Sequence, residues 1–243
     1  MARTDVGWAG TARHGRKGVE ETDDRWEGVA ALSGVVVGVL FSVIIALAGE
    51  LPKAPAPGPD VAAYFSHHHS ALLTIAYLEG LAGVLMIWFW GVLRSVVAKA
   101  EGGTGRLSAV VLVAGTGQAL LYTLSGAFLG TLAYHAPRTI DSTSAALLYR
   151  MGSVAFQAGA FPLGAALLAA AIVGLRSRAL PSWLSWISGA FGVIALALRA
   201  IPEETYGPER VGSVAFFLVP LWFAVTGVVM TRRSTGGKIA ITV

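Results

Sequence analysis

The sequence predicts an all-α polytopic membrane protein, a bundle of six transmembrane helices. Three observations predict it. Six separate apolar runs each reach the roughly 20 residues that a helix needs to cross a hydrocarbon core about 30 Å thick. Only 13% of the 243 residues are charged and 55% are hydrophobic, whereas a soluble domain carries about 25% charged residues; mean hydropathy is +0.66. Basic residues also flank the runs in alternation. That is a topology pattern rather than a nucleic-acid surface, although the net charge is +4. Helices are expected over 29–49, 69–93, 107–134, 151–175, 181–199 and 211–231. No alternating segments of the kind that build a membrane β-barrel compete with them. Cysteine is absent, which removes disulfides, thiolate metal sites and a cysteine nucleophile.

Residues 1–27 are polar and charged without apolar periodicity, and read as a flexible cytoplasmic tail. Residues 28–232 form the transmembrane domain, and 233–243 a short second tail. The basic cluster Arg13 to Lys17 is followed at once by Glu20, Glu21, Asp23 and Asp24, which fits a solvated tail better than a lipid-binding arm. Ala46-Leu47-Ala48 has the small residues of a signal-peptide cleavage site, and cleavage there would leave five helices. The run before it is long for such a peptide, and Asp23, Asp24 and Glu27 dilute its positive flank. Residues 52–59 read as an outer loop stiffened by prolines at 52, 55, 57 and 59.

The positive-inside rule orients the chain. One set of loops and tails holds Arg3, Arg13, Arg16, Lys17 and Arg25, then Arg94, Lys99 and Arg106, then Arg176 and Arg178, then Arg232, Arg233 and Lys238. The other set holds only Lys53, Arg138, Arg150, Arg199 and Arg210. Both termini are therefore expected in the cytoplasm of a cytoplasmic-membrane protein. Trp88, Trp90, Trp183 and Trp186 fall toward the cytoplasmic helix ends and fit an aromatic belt.

Small residues predict close helix packing at Gly34-x-x-x-Gly38 and Gly126-x-x-x-Gly130. The segments RMGSVAF at 150–156 and RVGSVAF at 210–216 each read as the outer start of a helix that then carries a proline, Pro162 or Pro220. Each proline should free a carbonyl and kink its helix. The echo fits either duplication of a helical hairpin or a shared start signal.

Glu79 is the one acidic residue inside a predicted span. It lies about 15 Å into the second helix, and Gln118 and Gln157 are expected near the same depth, with Tyr122, Thr123 and Ser153 close by. An ionised carboxylate at the bilayer centre costs at least about 2.5 kcal/mol, so Glu79 should face the interior and find partners. Two readings stay open: a proton or cation site, or a Glu–Gln–Gln contact that pins three helices. On the outer face, His67, His68, His69 and His135 accompany Glu203 and Glu204. His67, His69, His135, Glu203 and Glu204 are a weak candidate for metal or pH sensing. Adjacent histidines diverge by about 100° on a helix, so a plain polar helix start with Ser66 as cap is favoured. Arg199 is expected to snorkel to the interface or to pair with Glu203 or Glu204.

No phosphate loop, nucleophile elbow or pair of axial histidines is present, so no cofactor and no catalytic residue is assigned. The stretch 174–193, GLRSRALPSWLSWISGAFGV, joins a short basic turn to Leu180-Pro181, Trp183-Leu184 and a Gly-rich helix. With the proline-rich outer loop and the R-x-G-S segment, the chain resembles, over about residues 26–232, a bacterial six-helix integral membrane family classed as a domain of unknown function. The resemblance implies the fold and an actinobacterial type of source; it carries over no site residue. Three functional classes follow: a non-enzymatic protein that binds lipid or a membrane partner (another protein or a second copy), a small proton- or cation-coupled transporter using Glu79, or an intramembrane enzyme acting on a lipid or isoprenoid. The first fits the sequence best, and nucleic acid is not an expected partner.

Overall fold

The computed structural model describes residues 11–49, 51–52, 56–138, 140–197, 199 and 211–236, with side chains over the same residues except 11–29, 211–217 and 234–236. Among them every regular element is a helix: α1 (Thr11–Ala48), α2 (Gly58–His67), α3 (His69–Glu101), α4 (Arg106–His135), α5 (Ser142–Ala158), α6 (Ala160–Ser177), α7 (Ser182–Ala197) and α8 (Val211–Gly236). Four segments are long and apolar enough to cross a membrane: Ala30–Ala48, His69–Glu101, Arg106–His135 and Ser142–Ser177. α7 is a shorter apolar helix.

Several elements differ from the sequence reading. The backbone of α1 is helical back to Thr11, through the stretch read as a tail, while its apolar part begins at Ala30. The proline-rich outer loop ends in an unforeseen helix. Pro57 caps α2 and a proline sits in its first turn, where a missing N–H costs nothing. Ser66 lies within α2 rather than capping the next helix; α3 starts after His68, without a side-chain cap. The fourth predicted helix begins earlier, at Ser142, because Asp141 caps it, accepting from the N–H groups of Thr143 and Ser144 at 3.0 Å each. Arg150 therefore sits inside a helix, and the residues just before Val211 lie outside the described ones. The first segment, RMGSVAF, is thus not a helix start signal.

Pro162 stands in the first turn of α6, and the helix is interrupted at Gly159. Lacking an N–H, Pro162 cannot bond the carbonyl of Ala158, which accounts for a break one turn upstream. Pro220 lies inside α8, which continues past it. Its carbonyl oxygen faces Gly38, and Phe223 faces Gly34. The first glycine pair is therefore spent on packing α1 against α8 within the chain.

The bundle has a basic end and a histidine end. α3 and α4 run antiparallel: along α3 from Trp90 through Gly83 and Glu79 to Ala76, the facing positions on α4 are Gly115, Thr123, Gly126 and Gly130. Opposing small residues bring the two backbones close. Arg94, Lys99 and Arg106 lie toward their shared connection. There Glu101 accepts from the N–H groups of Leu107 and Ser108 at 2.8 Å across the glycine-rich turn. Arg233 joins this end to the α6–α7 turn by donating to the carbonyls of Arg178 and Ala179.

Candidate functional site around Glu79

Glu79 is buried, with 7% exposure. Gly126 makes this burial possible: a Cβ there would collide with the Glu79 carboxyl oxygen Oε2. The carboxyl therefore lies against bare α4 backbone. Its Oε2 is fully enclosed and has no hydrogen-bond partner among the described residues. One turn along α4, Tyr122 is close enough to interact electrostatically with Glu79. Its ring is held by Phe41 of α1, stacked at 4.8 Å, and by Phe156 of α5 at 6.1 Å. Ser125 is also buried at this level.

The expected Glu79–Gln118–Gln157 cluster does not form among the described residues. Gln118, Tyr122 and Gly126 share one face of α4 at helical spacing, so Gln118 lies two turns, about 12 Å, nearer the basic end than the Glu79 carboxyl. Its Oε1 accepts instead from the indole Nε1 of Trp90 at 3.4 Å. Gln157 uses its Oε1 to accept from Nη1 of Arg199 at 2.6 Å. Arg199 is thus half-buried, and its Nε has no partner among the described residues. Thr123 is satisfied locally, donating to the Ala119 carbonyl at 2.9 Å.

Trp90 also departs from the sequence reading. It is wholly buried in a cluster with Phe89, Trp222 and Phe223 rather than sitting in a belt, whereas Trp88 is 62% exposed, and Trp183 and Trp186 are exposed as well. Its neighbour Gly115 signals this, because a Cβ there would collide with the indole.

At the histidine end, His67, His69 and His135 are exposed. The Nδ1 atoms of His68 and His69 lie 3.0 and 3.1 Å from the carbonyls of Tyr64 and Ser66. Among the described residues no three His, Asp or Glu side chains group closely enough to hold a metal. Glu203 and Glu204 lie outside the described residues.

One enclosed carboxyl with an unused oxygen can take up one positive charge. A proton neutralises it, and so does a desolvated monovalent cation; a divalent ion would leave charge uncompensated in an apolar interior. Comparison of the chain with family models, with curated proteins and with solved structures found no match.

Proposed function

We propose that this chain is a six-crossing protein of the cytoplasmic membrane that exchanges a proton for a monovalent cation at Glu79. The crossings are α1, α3, α4, the α5–α6 pair, α7 and α8. The basic end faces the cytoplasm with both termini, as the charge bias of the loops requires. The resemblance to the six-helix bacterial family belongs to the same proposal and adds no site residue.

The observation that carries the function is the unpartnered Oε2 of Glu79. A lipid- or partner-binding protein, the reading that fits the sequence best because it shows nothing specific to catalysis, would use the glutamate as a hydrogen-bonded pin between helices. A pin needs partners, and both glutamines are engaged elsewhere. A buried polar atom left unsatisfied costs about 1–3 kcal/mol, and such costs are borne where function requires them. An acid–base enzyme would need a second group of matched proton affinity in reach of the reacting atoms. The titratable neighbour here is a phenol.

The test uses purified protein in lipid vesicles that enclose a pH-sensitive dye, with Li⁺, Na⁺ and K⁺ gradients imposed one at a time. At least one gradient should move protons with wild type and none with Glu79→Gln. No response above protein-free vesicles, or an equal response from the variant, would overturn the proposal.

A further inference from the structure

We infer that α2 is a gate over the histidine-end approach to Glu79, a reading that rests on Glu79 being the exchange site. The apolar interior is divided into two clusters. One surrounds the buried aromatic residues of α3 and α8 and includes Ala82, Met86 and Tyr122. The other lies at the histidine end and includes Ile44, Phe65, Leu72, Ile75, Leu132 and Tyr149. On α3, Ile75 belongs to the second cluster and Ala82 to the first, with Glu79 between them. On α4, Gly126 likewise lies between Tyr122 and Leu132. Along both helices Glu79 and Gly126 thus fall at the boundary between the clusters, with the second cluster on the histidine side.

α2 supplies Val61 and Phe65 to that cluster, both almost fully enclosed, while Asp60 and His67 on the same helix face outward. It is ten residues long, about 15 Å, too short to be anchored by crossing a membrane. The other elements of this cluster also pack into the first, as α1 does through Phe41 and α4 through Tyr122, or continue into it, as α5 does into α6. α2 rests chiefly on α5. Gly58 lies so close to the Ser142 carbonyl that a Cβ would not fit.

Two phenols latch it. Tyr64 of α2 donates to the Ala48 carbonyl at the end of α1, at 3.0 Å. Tyr149 of α5 donates to the Pro52 carbonyl in the segment that leads into α2. At the other end the chain leaves helical geometry at a single residue, His68, with φ −108° and ψ 16°, which is the hinge. Undocking α2 about His68 withdraws Val61 and Phe65 and leaves the boundary between the clusters, and with it Glu79, open to water.

Access can be measured without transport. Full-length protein in mild detergent is treated with a water-soluble carbodiimide and glycine methyl ester, and modification of Glu79 is timed by peptide mass spectrometry. Tyr64→Phe/Tyr149→Phe removes the latches, and Gly58→Ala independently disturbs the seat on Ser142. Either variant should label Glu79 at least threefold faster than wild type, with Asp60 labelling and thermal melting as checks on global unfolding. Equal Glu79 labelling in wild type and in both variants would overturn the gate, whether or not ion exchange is observed. Faster labelling would uphold it even where vesicles show no exchange, which would then count against the exchange reading alone.

Discussion

Glu79 and Gly126 act as one unit, since the carboxyl occupies the space that the glycine lacks a side chain to fill. Glu79→Gln keeps the shape and removes the charge. We expect it to melt no lower than wild type in thermal denaturation, because a neutral amide is easier to bury than a carboxylate. Gly126→Leu should displace the carboxyl and part α3 from α4, costing about 1–3 kcal/mol through overpacking, read as a lower melting temperature. Trp90→Phe removes the donor to Gln118 and strands a buried amide oxygen, a loss of about 1–3 kcal/mol in the same assay. An acid within an apolar run was visible from sequence. Its isolation was not, because it depends on register: the α3–α4 pairing sets Glu79 against Gly126 and gives Gln118 to Trp90.

Among the elements, α1 and α8 show how a short motif is used. Gly34 and Gly38 meet Phe223, Pro220 and Ala224 of the same chain. Gly38→Val should therefore lower the melting temperature and leave oligomeric state, measured by light scattering in detergent, unchanged. Asp141 caps α5, and hydrogen bonds from the Ser144 hydroxyl and the N–H groups of Ser144 and Thr143 hold its carboxyl below the usual carboxylate range. The cap contributes fully above that range and is lost as pH falls through the depressed value. Asp141→Ala should lower melting at neutral pH and abolish this part of the acid sensitivity. Helix existence was legible from apolar runs. α2 was not, since prolines that suit a loop also suit a first helical turn, and the start of α5 was missed because the cap lies upstream of the apolar run.

At the scale of the molecule, the membrane class follows from composition and from four helices of crossing length and apolarity. The proposed six-crossing topology rests on the alternation of basic residues, and the cysteine-free chain makes it directly testable. His67→Cys should react with a membrane-impermeant maleimide added outside intact cells, and Lys99→Cys should react only after permeabilisation. The division of the interior into two clusters could not be read from hydropathy, which does not distinguish an apolar residue facing lipid from one facing a neighbour. Leu72 and Leu73 are adjacent in sequence, yet only the first is buried.

Infrared difference spectroscopy of the Glu79 carboxyl tests the exchange most directly. The protein is held in lipid at neutral pH while Li⁺, Na⁺ or K⁺ is added and removed. If Glu79 exchanges a proton for a cation, a protonated-carboxyl band will be lost on adding one of these ions, return on its removal, and be absent from Glu79→Gln. A band indifferent to all three ions, or an ion-sensitive band that survives in Glu79→Gln, would contradict the exchange at this residue.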